Sequence, residues 1–186
     1  SLPGSPFSTR HPAARRPGTG AGEAPRPPRT TGHGPARRST TGAALVDTNV
    51  LVYRHDPRFP AKQAAAARLL RQGLERGDLH LAHQTLVEFV AVAQRPLLPG
   101  RRPLLTPPEI LREVEEAMIL FTVLYPDADL FRAALRGATA YGLSWFDAHL
   151  WAYADRYGLD TIYSEDFEDR RFYGSVQVVN PFRGPD

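Results

Sequence analysis

The 186 residues contain no cysteine, which removes disulfides, thiolate metal sites and thiol nucleophiles from consideration. Lysine is nearly absent as well: Lys62 stands alone, so lysine-based phosphate chemistry has little support. No apolar run approaches the roughly 20 residues that span a bilayer. The N-terminus holds Pro and Arg but no apolar stretch of the kind a secretory signal needs. Neither G-x-x-x-x-G-K-[ST] nor G-x-S-x-G occurs, and the six His show no H-x-H or H-E-x-x-H spacing. The expectation is a soluble, cytoplasmic protein without a membrane partner.

What is present is unevenly spread. Residues 1–42 hold eight Pro, seven Gly and seven Arg against one acid, Glu23, for a charge of +6. Residues 43–186 therefore carry −3 of the chain's total of +3. With only Leu2 and Phe7 as large apolar residues, the first segment cannot offset the entropy of ordering it. It reads as a disordered tail whose arginines are solvated or touch RNA, followed by one folded domain over 43–186. The chain opens on Ser rather than Met, which raises the expectation of an appended tail or a mis-set start near Gly42.

Beyond residue 43 the texture becomes that of a packed domain. Strands are expected at 43–46, 79–82, 119–125, 160–164 and 175–180, the third because "ILFTVLY" is strongly β-prone. Helices are expected at 61–77, 85–95, 107–118, 127–142 and 144–158, several opened by Pro or Ser and closed by Gly. Strands alternating with helices imply an α/β domain with a mostly parallel sheet covered on both faces. In such sheets, sites form beyond the carboxyl ends of the strands.

Four acids occupy positions that a simple fold would leave neutral. Asp47 interrupts "AALVDTNVLVY" at the end of the first strand, where it either caps a helix or faces a site; Asn49 can orient it. Glu88, in "TLVEFVAVA", has apolar helical neighbours and no cation nearby, so it is either exposed or compensated. Asp147, in "SWFD", has capping-box spacing from Ser144. Asp166, in "TIYSEDF", follows a strand and can serve as a turn residue. Strand ends and the helix starts that follow them share one sheet edge, so the four can converge. Two carboxylates ~4 Å apart repel by about 4 kcal/mol at an effective dielectric of ~20, which a divalent cation relieves. Oxygen ligands without Cys or clustered His favour Mg²⁺ or Mn²⁺ over Zn²⁺. His83 and His149 lie near acids and read as structural or surface residues.

Taken together, "LVDTNVLVY", a Glu in an apolar helix, "LSWFDAHLWAYA", "TIYSEDF" and a terminal "VQVVNPF" resemble PIN-domain ribonucleases of the VapC toxin type, over about residues 43–182. The resemblance implies a three-layer α/β/α sandwich around a sheet of about five strands. It also implies a Mg²⁺-dependent endoribonuclease, a homodimer and a small inhibitory antitoxin. By position, Asp47, Glu88, Asp147 and Asp166 match the family acids. Asp47 and Asp147 would be the firmest metal ligands, Asp166 a further one, and Glu88 a ligand directly or through water. Neither the tail nor the Pro/Arg-rich stretch 95–109 has a counterpart.

An acidic centre repels RNA, so arginines must draw the backbone in; Arg95, Arg101, Arg102, Arg170 and Arg171 are the candidates, against the alternative of solvated charge. Trp145, Phe146 and Trp151 are spaced for core or dimer packing more than for stacking on bases. A non-catalytic PIN-like module that holds RNA or protein is the rival reading, and intact acids argue against it. A phosphatase using an aspartyl-phosphate would want a second Asp where Asn49 stands, and a receiver domain a Lys on a late strand.

Overall fold

The computed structural model describes residues 42–96 and 102–183. The expectation of a disordered tail lies outside those residues, as does Arg101. Among the described residues, six strands form one sheet in the order β3-β2-β1-β4-β6-β5. The strands are β1 (Ala44–Val46), β2 (Leu79–Ala82), β3 (Thr122–Leu124), β4 (Thr161–Tyr163), β5 (Phe172–Tyr173) and β6 (Val176–Val179). The helices are α1 (Thr48–His55), α2 (Pro60–Arg76), α3 (His83–Ala93), α4 (Pro107–Leu120), α5 (Ala128–Tyr141) and α6 (Trp145–Tyr157). All pairings are parallel except that of β5 with β6.

Alternation along the strands splits the core into two layers, as side-chain period 2 requires. Ala44, Val46, Leu79 and Leu81 pack against Val50 and Leu51 of α1, Leu70 of α2, Phe89 of α3 and Ile110 of α4. Leu45, Ile162, Val176 and Val178 point the other way, onto Leu130 and Ala134 of α5 and Leu150 and Ala154 of α6. The expected three-layer α/β/α sandwich is therefore found, with one more strand than the five expected. The extra strand, β5, is a two-residue edge piece joined to β6 through Gly174.

Two stretches differ from the sequence expectation. Residues 48–55, where no element is expected, form α1. Its β-branched and aromatic residues are poor helix formers, but Asp47 caps it by accepting from the Thr48 N–H at 2.6 Å. In "ILFTVLY", Ile119 and Leu120 belong to α4, and the strand is only Thr122–Leu124. Ile119 is 81% exposed, so its apolar character serves a surface rather than a sheet.

The layer of α5 and α6 fixes where the last helix begins. Gly142 ends α5 in the left-handed region at φ 67°, and only Leu143 separates it from Ser144, the cap of α6. Between the helices, a Cβ added at Gly137 would lie 2.4 Å from the Trp151 ring. Trp151 cannot yield easily: its Nε1–H donates to the Tyr173 carbonyl at 2.9 Å and its ring packs edge-on to Tyr141. Gly137→Ala should therefore destabilise the domain by roughly 1–3 kcal/mol, because overpacking there displaces a whole helix. Urea unfolding checks this; an unchanged midpoint would show that the seam has slack.

Candidate active site

β1 lies at the centre of the sheet, between β2 and β4, with Val46 in register with Tyr163. The chain leaves β1 toward one sheet edge through β2 and β3, then returns on the opposite face through α5 and α6 to β4. Such a reversal opens a crevice beyond the strand ends. Asp47 and Ser164, the first residues past β1 and β4, meet in it. The Asp47 N–H donates to the Tyr163 carbonyl at 3.0 Å, and Ser164 Oγ donates to Asp47 Oδ2 at 2.5 Å.

Asp47 is buried, with 8% of its surface exposed. It accepts from the Thr48 N–H, from Ser164 and from Asn49 Nδ2 at 3.0 Å. With protein groups alone acting on it, burial pushes its carboxyl up to about 7. The hydrogen bonds from Ser164 and Thr48 oppose that rise, and the charges of Asp166 and Glu88 add to it. Asp47 thus caps α1 while feeling the charges of two other acids.

The other acids reach this point by different routes. Asp166 is exposed, yet Asn49 Nδ2 donates to its Oδ2 at 3.2 Å, and its own N–H donates to Ser164 Oγ at 3.1 Å. Asn49 thereby ties Asp47, Ser164 and Asp166 together with one amide group. Glu88 is half-buried and is compensated rather than free. Thr48 Oγ1 donates to its Oε2 at 3.1 Å, and Gln84 Nε2 donates to its Oε1 at 2.7 Å. Asp147 is half-buried at the start of α6, where Ser144 Oγ donates to its Oδ2 at 2.7 Å and accepts from its N–H at 3.3 Å. Burial raises the Asp147 carboxyl, Ser144 counters, and the charge of Asp166 raises it further. The start of α3 is fixed at the same edge, because buried Thr85 Oγ1 donates to the Val46 carbonyl at 3.0 Å.

The donors suit a hard, oxygen-loving divalent cation: carboxylates, a hydroxyl and Asn49 Oδ1, which is buried with no hydrogen-bond partner among the described residues. As arranged, no group of three or more acid or His side chains among the described residues stands close enough to enclose an ion. The residues fit such a cation in chemical type. Pairwise, the charges of Glu88 and Asp166 reach Asp47 and that of Asp166 reaches Asp147.

A family model for the PIN domain matches residues 44–174. The chain belongs to the PIN-domain family. That match spans Asp47, Glu88, Asp147 and Asp166, and bears out the family resemblance read from the motifs. No protein of curated function matches the sequence. Among solved structures, this PIN domain is similar to VapC20 of Mycobacterium tuberculosis, a sarcin–ricin loop cleaving toxin. The identity is 18% and the TM-score 0.51, covering 67% of this chain and 90% of that one. It is also similar to FitAB bound to an IR36 DNA fragment, at 23% identity and a TM-score of 0.55, over 77% and 98% of the two chains. FitAcB from Neisseria gonorrhoeae gives 24% identity and a TM-score of 0.50, over 75% and 98%. At these identities the likeness establishes the fold.

Sequence reasoning names the acids of this PIN domain, and Asn49 beside Asp47 and Ser144 beside Asp147 among the groups that hold them. It misses Ser164 and Gln84; the signal for Ser164 is its place just past a central strand, two residues before Asp166. His149, read as structural or surface, contacts Gln84. Trp151 is in the core as expected, whereas Trp145 and Phe146 are 38% and 61% exposed. Of the arginines, Arg95 and Arg102 are exposed, and Arg171 is paired with Glu168 at 2.7 Å. Next to Ser164, Glu165 receives Lys62 Nζ at 2.5 Å; the same ammonium donates to Tyr53 Oη and lies 4.2 Å from the Tyr53 ring centroid.

The raised Asp47 carboxyl carries a pH signature. Its folded value of about 7 lies above the ordinary 3.8, so folding favours the protonated form. Its contribution to stability is full below pH ~4 and is lost as pH rises through 7. In chelator, the wild-type domain should lose about 2–3 kcal/mol more than Asp47→Asn between pH 5 and pH 8. Chemical unfolding of both proteins across that range measures it, and identical slopes would refute the assignment.

Proposed function

We propose that this PIN-domain protein is a Mg²⁺-dependent endoribonuclease (Mn²⁺ substituting) that acts as a toxin and is neutralised by a small cognate antitoxin. One observation carries the reading: Asp47, Glu88, Asp147 and Asp166, far apart in the sequence, face one edge of the sheet, and burial and neighbouring charge push the central carboxyl up to about 7. Such surroundings disfavour the charged forms of Asp47 and Asp147 and relax when a cation is present.

Asp47 and Asp147 would hold the ion, with Asp166 as a further ligand and Glu88 bound directly or through water. When bound, Mg²⁺ supplies Lewis acidity toward a phosphodiester oxygen and makes water a better nucleophile. The protein's own contribution is positioning. Ser164 and Asn49 fix the Asp47 carboxylate, Asn49 aligns Asp166 with it, Thr48 and Gln84 fix Glu88, and Ser144 fixes Asp147. The exposed arginines Arg95 and Arg102 are the candidates for drawing in the RNA backbone. No helix among the described residues is long and apolar enough to cross a membrane. A homodimer is supported by Phe131, Leu135, Trp145 and Phe146, exposed apolar residues on the adjoining helices α5 and α6. The antitoxin rests on the family resemblance. Residues 1–42 are read as a separate tail and 43–186 as the nuclease domain.

Asp47→Asn and Asp147→Asn should each lower RNA cleavage by more than about 100-fold, beyond the effect usual for residues that merely support a ligand. EDTA should abolish wild-type cleavage and Mg²⁺ restore it. Gel analysis of a purified RNA mixture, with circular dichroism to confirm folding, tests this. Wild-type protein that folds and binds RNA without metal-dependent cleavage would favour the rival, a non-catalytic binding module, with which the open arrangement of the acids is also compatible.

A further inference from the structure

Glu88 is held by a chain of hydrogen bonds that crosses from α3 to α6. Gln84 lies four residues before Glu88, on the same helical face. Its Nε2 donates to Glu88 Oε1 at 2.7 Å and to the Phe146 carbonyl at 3.1 Å. Its Oε1 lies 2.6 Å from His149 Nδ1. Reversing the amide would set its oxygen against a carboxylate and a carbonyl, two acceptors, so this orientation is forced. An amide oxygen only accepts, so His149 Nδ1 must carry a proton. The ring is fixed from two further sides, by Tyr153 edge-on at 5.3 Å and Trp145 tilted at 5.8 Å.

We propose that His149 is a positioning residue for the acidic centre: its Nδ1–H locks the Gln84 amide, which in turn aims Glu88. This rests on the nuclease reading, since it gives a purpose to the placement of Glu88. It assigns His149 a role through Gln84, with no contact to substrate. Glu88 sits between two anchors, Thr48 at the start of α1 and Gln84 in α3. Without the imidazole donor, the amide loses its reason to face one way, and Glu88 keeps Thr48 as its one fixed anchor. Because Gln84 also holds the backbone carbonyl of Phe146, the residue before Asp147, the same amide couples the placement of two acids.

The test compares His149→Leu, which fills the space without a donor, with His149→Asn, whose amide nitrogen can stand where Nδ1 stands. Gln84→Met removes the relay itself. Calorimetric titration of the full chain with Mn²⁺ alone, together with RNA cleavage, should show about a 10-fold loss of ion affinity and of kcat for His149→Leu and Gln84→Met. KM for RNA should be unchanged and His149→Asn should stay within about 3-fold of wild type. Nitrogen-15 NMR of the wild-type imidazole should show the Nδ1–H form. An Nε2–H form, or His149→Leu matching wild type in ion affinity and kcat, would overturn the proposal. If wild type takes up no Mn²⁺ and cleaves nothing while the Nδ1–H form is present, the nuclease reading fails and the hydrogen-bonded clamp stands.

Discussion

The whole domain is arranged around one uncomfortable charge. A carboxylate at the end of a central, fully flanked strand has lost most of its water, and the charges nearest to it are those of other acids. Burying such a group costs several kcal/mol unless partners compensate it. Here the compensation is partial: a serine, an asparagine and a backbone N–H all donate to it, yet the carboxyl still titrates near neutrality. Surroundings that hold an acid at half-charge are far more responsive than ones that fully neutralise it. The reactivity proposed for this edge is the remainder of that imbalance.

The fold supplies the edge with little reserve. Strands of two to four residues leave few ladder hydrogen bonds, so the sheet depends on the helices packed on its faces. On one face α5 and α6 close over Trp151 and Gly137. On the other, α1 starts directly from Asp47 and α3 directly from the end of β2. Because these helices begin at strand ends with no intervening loop, backbone placement and side-chain placement are one event. Asp47 illustrates this, since the same carboxylate nucleates a helix and heads the acidic cluster.

How much of the domain is legible in its sequence follows from what each signal measures. The helices α2, α5 and α6 are readable to within a residue or two, because Gly77, Gly142 and Gly158 end them in the left-handed region and Pro60 and Ser144 begin two of them. Residues 48–55 are not, because their β-branched composition speaks against a helix and tertiary context, the Asp47 cap and the burial of Val50 and Leu51, outweighs it. "ILFTVLY" misleads at Ile119 and Leu120 because propensity registers apolar character without saying whether a sheet or a surface receives it. At the site, the acids stand out by being misplaced in apolar surroundings. Ser164 and Gln84 are ordinary residue types in ordinary contexts, and their importance lies in distances between segments remote in the chain. His149 is visible as a residue and opaque as a partner for the same reason.

The solitary lysine has a chemical consequence. Its ammonium is folded against Tyr53 and paired with Glu165, one residue from the serine that steadies Asp47. All other permanently charged side-chain cations of the chain are guanidiniums, which keep their charge under any physiological condition and resist acylation. Acetyl transfer onto a side-chain amine therefore has a single address in this protein. Capping that amine would hand one unbalanced negative charge to a corner already crowded with carboxylates.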